Sequence, residues 1–362
     1  MAGHMQNLPD GERCDWLRLY RCGSIGPASF FRLIARFGSA SRAIEALPDL
    51  LRRPLQIPSR AAAERELDDL ARLGGRLITA GDAAFPEALR ASGQTPLIMV
   101  LGNAVILDSD AVAIVGARNA SLAGCRLARG LAGDLAASGL TVVSGLARGI
   151  DRAAHEGALP GPTVAVVAGG VDVVYPAEHR DLHRRLADEG CVLSEMPPGC
   201  QPTAAHFPRR NRLIAGLSLG VVVVEAALQS GSLITARQAL DQGRELFAVP
   251  GSPQDPRSRG PNALLRQGAV LTESAADVLD ALQPMRRRPG SIPAAMTTPA
   301  LPVDGPPEHE LVVKCLGTTP VTVDEIVRQC QLSPAVVSMV LLDLELAGRL
   351  ERRSGNLVSL LS

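Results

Sequence analysis

The spacing of apolar positions changes twice along the chain. From Trp16 to Leu77, apolar residues recur at intervals of three and four, as in WLRLYRC, SFFRLIARF and ELDDLARLGG, joined by short Gly and Pro turns. That is the period of helices burying one face, and it predicts a small all-helical domain over residues 1–80. Residues 1–5 (MAGHM) read as a cloning remnant. From about Phe85 to Leu282, short β-branched or apolar runs alternate with helical stretches: AVAIVG (111–116), LTVVSG (140–145), TVAVVAGG (163–170), CVLSE (191–195), LGVVVVEA (219–226), ELFAVPG (245–251) and AVLTE (269–273). Strands apolar at every position are buried on both faces. Their alternation with helices predicts an α/β, doubly wound, mainly parallel sheet over residues 81–283.

Residues 284–307 hold seven prolines in 24 positions together with Arg286-Arg287-Arg288, a linker composition. From Glu308 to the end of the chain, three helical patterns (EHELVVKCLG, TVDEIVRQCQ, SPAVVSMVLLDLELAG) precede two strand-like pieces, RLERR and NLVSLL, around Ser354-Gly355. That order predicts a winged helix over 308–362. Its third helix would be the one to enter a major groove, yet Ser333 to Ala347 carries no Arg or Lys and does carry Asp343 and Glu345. Protein contact or structural packing fits that helix better than duplex reading.

Composition narrows the chemistry. With 37 basic and 37 acidic residues among 362, the net charge is zero, which excludes a polycationic nucleic-acid sponge and makes any anion site local. Lys314 is the single lysine and the other basic residues are arginine, so arginine abundance proves nothing by itself. Nine aromatic residues leave little material for stacking platforms. The seven cysteines (Cys14, Cys22, Cys125, Cys191, Cys200, Cys315, Cys330) are scattered without a C-x-x-C pair and fit neither a disulfide framework nor a zinc site. No signal-like start and no membrane-length apolar run is present, so a reducing cytoplasm is expected.

In an open parallel sheet the ligand crevice lies beyond the carboxyl ends of the strands. Four of those ends are glycine-rich: Gly116-Ala117-Arg118-Asn119-Ala120-Ser121, Ser144-Gly145-Leu146-Ala147-Arg148-Gly149-Ile150-Asp151, Gln229-Ser230-Gly231-Ser232-Leu233-Ile234-Thr235-Ala236, and Pro250-Gly251. Glycine lets a backbone approach an anion, and the following helix aims free N–H groups at it; helix–strand packing explains a single such turn equally well. The spacing is not G-x-G-x-x-G, and the core domain has no lysine for a P-loop, so dinucleotide oxidoreductases and P-loop NTPases are disfavoured.

The sharpest local feature is His206-Phe207-Pro208-Arg209-Arg210-Asn211-Arg212. It lies in a stretch, Met196 to Val224, with three arginines and no acid, although residues 81–283 hold 17 Arg against 20 acidic residues. Arginine forks suit phosphate oxygens and Phe207 could stack on a base; a solvated loop pairing with carboxylates is the alternative. His179 and His183 are one helical turn apart, but Arg180 stands where a zinc protease has its general-base Glu, so an exposed helix face is expected there and no metal. Asp151 and His155 read as a capping and packing pair. Glu225 is the best lone acid for catalysis, or else an anchor accepting backbone N–H bonds. In the helical domain, Ser24-Ile25-Gly26-Pro27 and Phe37-Gly38-Ser39 resemble a helix-hairpin-helix or SAM-like hairpin, read as a tight turn between packed helices ahead of a phosphate contact.

Taken together, IVGARNAS, VVSGLARGIDRAAHEGAL, TVAVVAGGVDVVYPAEHRDL, LSEMPPG, HFPRRNRLIAGLS, VVVVEAALQSGSLITARQAL, FAVPG and GPNALLRQGA resemble the DNA-processing protein A (DprA/Smf) family almost without a break from Phe85 to Val278. The flanking pieces match the layout of longer family members. The resemblance implies an extended Rossmann-like domain that binds single-stranded DNA without catalysis, cofactor or metal. It also implies a homodimer, a RecA recombinase partner loaded onto protected incoming strands in natural transformation, and no membrane association. The DNA-binding positions it implies are Gly116 and Arg118; Ser144, Gly145, Arg148 and Gly149; Phe207, Arg210, Asn211 and Arg212; Ser230, Gly231, Ser232 and Thr235; and Gly251. Where the family's first motif usually has Ser, this chain has Ala117. The same sheet also resembles the lysine-decarboxylase-like phosphoribohydrolases, which use a P-G-G-x-G-T loop and a nearby Glu; Ser230-Gly231-Ser232-Leu233-Ile234-Thr235 departs from that loop.

Overall fold

A computed structural model describes residues 8–23, 25–50, 56–286, 307–317, 320–332, 334–346, 350–353 and 357–360. Ser24, most of the Pro-rich stretch, Ala347, Ser354 and Gly355 lie outside the described residues, as does the N-terminal MAGHM.

Four helices open the chain: α1 (Asp10–Tyr20), α2 (Pro27–Phe37), α3 (Ala40–Leu50) and α4 (Arg60–Arg72). Pro27 sits in the first turn of α2, where its missing N–H costs nothing, and Gly38 ends that helix at φ +79°, a left-handed cap. Phe30 is fully buried and meets Trp16 edge-on at 5.0 Å. The interior of these helices is continuous with that of the sheet, since Leu17, Leu19 and Phe30 belong to the same apolar cluster as Leu97–Val100.

The sheet has nine strands: β1 (Arg76–Thr79), β2 (Leu97–Gly102), β3 (Ala111–Val115), β4 (Thr141–Ser144), β5 (Thr163–Val166), β6 (Cys191–Ser194), β7 (Gly220–Val223), β8 (Glu245–Ala248) and β9 (Val270–Leu271), in the order β1-β2-β6-β5-β4-β3-β7-β8-β9. From β6 to β9 all neighbours run parallel, while β2 is antiparallel to both β1 and β6. The sheet thus begins at Arg76, before the expected boundary at residue 80, and includes two strands that the apolar runs did not mark. Alternation at period two explains the double burial. Val112 and Ile114 of β3 join the cluster under α6 (Leu122–Ala137) and α7 (Ile150–Ala158), whereas Ala113 and Val115 join the cluster that includes Leu213 and Ile214.

The chain lays down β3, β4, β5 and β6 in one direction, then returns to place β7 on the other side of β3. The helices that follow β3 and β7 therefore pack on opposite faces of the sheet, α6 with one apolar cluster and residues 231–241 with the other, and an open crevice forms at the switch. Two more helices flank it, α9 (His206–Leu217) and α10 (Gly231–Asp241), while α8 (Arg180–Glu189) packs against β2, β5 and β6. The C-terminal part consists of α13 (Pro307–Lys314), α14 (Val323–Cys330) and α15 (Pro334–Leu346) with a three-stranded sheet of β10 (Val321–Thr322), β12 (Leu357–Leu360) and β11 (Leu350–Arg353), the arrangement of a winged helix. Between the two parts the chain forms α11 (Arg259–Arg266) and α12 (Ala275–Leu282), and a short α5 (Glu87–Ser92) precedes β2.

Candidate nucleic-acid interface

The loops at the carboxyl edge are held by one another before they can hold a ligand. Gly149, at φ +72°, brings the β4 loop so close to the β3 loop that a Cβ there would lie 2.3 Å from the Ala117 carbonyl oxygen. Ser121 caps α6 by accepting from Gly124 N at 2.9 Å, and Glu225, just beyond β7, accepts from Ser121 N at 2.8 Å and Ser121 Oγ at 2.5 Å. Glu225 is thus an anchor between the β3 and β7 loops, the second of the two roles open to it.

Phe207 and Arg210 are three residues apart on α9 and share a face. Arg210 is 7% exposed, and its Nη1 donates to the carbonyls of Gly145 (2.5 Å) and Val166 (2.6 Å). Burial brings this guanidinium down to about 10, with Asp151 opposing the shift, so it stays charged at neutral pH. Burial likewise pushes the Asp151 carboxyl up, against Arg210 and the N–H groups of Ala147 and Gly145. Arg210 is therefore a structural clamp between the β4 and β5 strand ends, with the Phe207 ring beside it.

The Arg118 guanidinium lies 5.0 Å from the centroid of that ring, Arg210 lies 5.9 Å away, and the half-exposed ring of Tyr175 stands at 5.9 Å, tilted by 58°. Two cavities meet at this point. One, of 420 Å³, is bounded by the loops after β4, β5 and β6 and includes Gly145, Arg148, Tyr175, Gln201 and Pro202; the other, of 770 Å³, includes Gly116, Asn119, Asn211, Ser230–Ser232, Thr235 and Arg257. Arg118, Ala147, Phe207 and Arg210 line both. The start of α10 lies in the wall of the larger cavity, with Ser230 as its N-cap, so the partial positive charge of a helix end adds to the arginines. At the rim, Arg148 is engaged by Glu178 through two bonds of 2.7 and 2.8 Å.

Four expected positions lie elsewhere. Arg212 turns away from the crevice: its Nη1 donates to the Gln94 carbonyl and, at 2.8 Å, to Thr95 Oγ1, while Nη2 pairs with the buried Glu195. Five positions after Phe207 on the same helix, it faces the opposite side. Ser144 is fully buried and donates to the Ile114 carbonyl at 2.7 Å. Gly149 serves the loop contact above. Gly251 is bracketed by the Asn262 amide, which donates to its carbonyl at 2.8 Å and accepts from its N–H at 3.2 Å. Asn119 and Gln229, from two of the glycine-rich strand ends, also line the larger cavity, whereas Tyr175 and Arg257 are lining residues that the sequence pattern does not mark; Tyr175, an aromatic immediately before a proline, carries the clearer signal.

The two histidines of α8 and its preceding turn are not on an exposed face. His179 is buried with Nδ1 3.1 Å from the Leu146 carbonyl, and His183 is buried with Nε2 2.8 Å from the Val171 carbonyl, so each ring is spent on packing. Among the described residues no cluster of three His, Cys, Asp or Glu could hold a metal ion. Among the same residues no helix is long and apolar enough to cross a membrane.

Comparison with known proteins agrees with the geometry. The model of the DNA recombination-mediator protein A family matches residues 76–283, a DprA-like N-terminal HHH domain matches 10–68 and a DprA winged helix domain matches 293–356. Protein Smf of Escherichia coli K12 is 40% identical over 307 residues, 83% of this chain and 82% of that one. The structure of DNA processing protein A from Streptococcus pneumoniae aligns with TM-score 0.58 at 36% identity, over 71% of this chain and 83% of that one. DNA processing protein A from Helicobacter pylori, described for its single-stranded DNA binding mode, aligns with TM-score 0.53 at 31% identity, over 56% of this chain and 94% of that one. A nine-stranded sheet with its crevice at the switch, flanked by a helical domain and a winged helix and matched over most of its length, places this chain in the DNA recombination-mediator protein A (DprA/Smf) family.

Proposed function

We propose that the crevice binds single-stranded DNA with little regard to sequence and performs no covalent chemistry on it. The observation that carries this reading is the ring of Phe207 at the junction of two cavities, with Arg118 and Arg210 beside it and Tyr175 within reach. A base stacked on Phe207 would leave its flanking phosphates to Arg118 and Arg148, the Gly116 backbone and the Ser230–Ser232 helix start. In this reading affinity comes from phosphate contact and stacking, neither of which distinguishes one base from another. A paired base cannot present its face to a ring, which favours single strands over duplex. Arg210 and Arg212 act as supports in this reading, and Arg118 is the main exposed cation.

The reading extends to a protein that shields incoming strands and loads a RecA recombinase onto them in natural transformation, as a homodimer in the cytoplasm. Two crevices on one strand would raise avidity by about 100-fold or more, which suits a chain of zero net charge. The engagement of Glu225 by Ser121 supports binding without hydrolysis. Fluorescence anisotropy of a labelled dT oligonucleotide and a matched duplex across a salt series tests the proposal. Tighter binding of the single strand, weakening linearly on a log scale with salt, is the expected result; equal affinity for duplex would overturn it.

A further inference from the structure

We propose that Cys315 and Cys330 form a reversible oxidation site in the winged-helix domain, at which a peroxide joins the two thiols as a disulfide. Cys315 follows the last residue of α13 and Cys330 is the last of α14, and their Sγ atoms lie 3.2 Å apart. Fourteen residues separate them in the chain, a spacing with no motif behind it; the packing of α13 and α14 on the core of Val312, Ile326, Val337 and Leu341 brings them together. Both are half-buried, so a small oxidant reaches them. The sulfurs of Cys14, Cys22, Cys191 and Cys200 lie instead against backbone carbonyls.

The pair is asymmetric. Burial and the neighbouring thiol push Cys330 up to about 11, so it keeps its proton and donates towards Cys315 Sγ, with the Leu311 carbonyl at 3.6 Å as a second acceptor. Cys315 accepts that hydrogen bond at 3.2 Å, a contact that steadies its thiolate, so Cys315 is the sulfur that attacks. Its thiolate forms an S–O bond to the peroxide as the O–O bond breaks, and the departing hydroxide leaves as water with the proton that Cys315 gave up. The Cys330 sulfur next attacks the sulfenic sulfur: an S–S bond forms, the S–O bond breaks, and the hydroxyl leaves as water with the Cys330 proton. Two thiols and one hydrogen peroxide become one disulfide and two waters, the two electrons passing from sulfur to peroxide. The bond ties the end of α13 to the end of α14 across the 14 intervening residues, none of which lines the crevice, and a dithiol reverses it.

The full-length protein treated with hydrogen peroxide, then alkylated and digested without reductant, tests the site. A Cys315–Cys330 linked peptide should be the dominant cross-link and vanish with dithiothreitol. In Cys330→Ser, the sulfenic acid on Cys315 has no partner, so its labelling by dimedone should rise several-fold over wild type. Separate alkylation of both thiols after peroxide, a link from either to another cysteine, or unchanged dimedone labelling in Cys330→Ser would each overturn the proposal.

Discussion

Arg212 of α9 closes on the carboxylate of Glu195, which follows β6, and Tyr20 of α1 joins the pair by donating to Glu195 Oε1 at 3.1 Å. The segment between Glu195 and Arg212 contains Gln201, Pro202 and Phe207, which line the crevice. The ion pair thus fastens both ends of one wall and ties it to the helical domain. Its side chains are 12% and 5% exposed. Breaking a buried pair on one side costs about 3–5 kcal/mol, because the remaining charge is left without a partner. Arg212→Ala should therefore lower the unfolding free energy by that order, with a matching fall in the denaturant midpoint. An unchanged midpoint together with lost DNA binding would place Arg212 on the strand instead.

Phe207 should couple to a base and not to a phosphate. Base–aromatic stacking is worth about 1–3 kcal/mol by alanine substitution. Removing one base from a bound strand, by an abasic site at the position that meets Phe207, should weaken wild type by a comparable amount. The same change should cost Phe207→Ala little. Equal penalties in the two proteins, measured by anisotropy with abasic sites walked along the strand, would remove the stack from the account.

Glu178 occupies the fork that a phosphate would take. Its carboxyl is held below the usual range by its hydrogen bonds to Arg148, so the pair stays ionised through neutral pH. Glu178→Gln should free Arg148, tighten single-strand binding a few-fold and steepen its salt dependence by about one phosphate contact. Arg148→Ala should weaken binding and abolish the effect of Glu178→Gln. An unaltered salt slope in Glu178→Gln would show that Arg148 does not meet the strand.

A buried histidine gives the fold an acid limit. Thr163 Oγ1 spends its proton on the Val142 carbonyl, so it accepts from His155 Nδ1 at 2.8 Å, and His155 Nε2 is left bare and unpartnered. Burial, reinforced by His179 and Arg210, holds His155 down to about 3. The unfolded chain, with an ordinary histidine near 6.5, binds the proton first as pH falls. The contribution is thus complete above about pH 6.5 and declines between there and about pH 3, by up to ~1.4 kcal/mol per pH unit. Unfolding free energies measured at pH 7 and pH 5 should differ by this order in wild type and by less in His155→Gln.

Much of this was legible in the chain because continuous apolar runs between glycine turns have few alternatives. The strands from β3 to β9 lie where such runs stand, and the glycine-rich ends do gather at one edge. β1 escaped because RLIT follows ELDDLARLGG at helical spacing, and only its pairing with β2 reveals it. The roles within HFPRRNR were hidden for another reason. Three arginines in four positions look alike as text, but on a helix Arg210 follows Phe207 into the crevice wall while Arg212 points to the domain joint. Glu225 could be read either way until Ser121 was found across from it. Contacts between distant segments decide such roles, and local pattern does not carry them.

The claim on which the rest depends is the place of the strand, and photo-crosslinking locates it most directly. A single-stranded dT oligonucleotide carrying 5-iodouracil, irradiated with the full-length protein and mapped by peptide mass spectrometry, should react at the aromatic rings it stacks on. Adducts on the peptides of Phe207 or Tyr175 are the predicted result. Adducts confined to residues 307–360 would contradict it and move the DNA site to the winged helix.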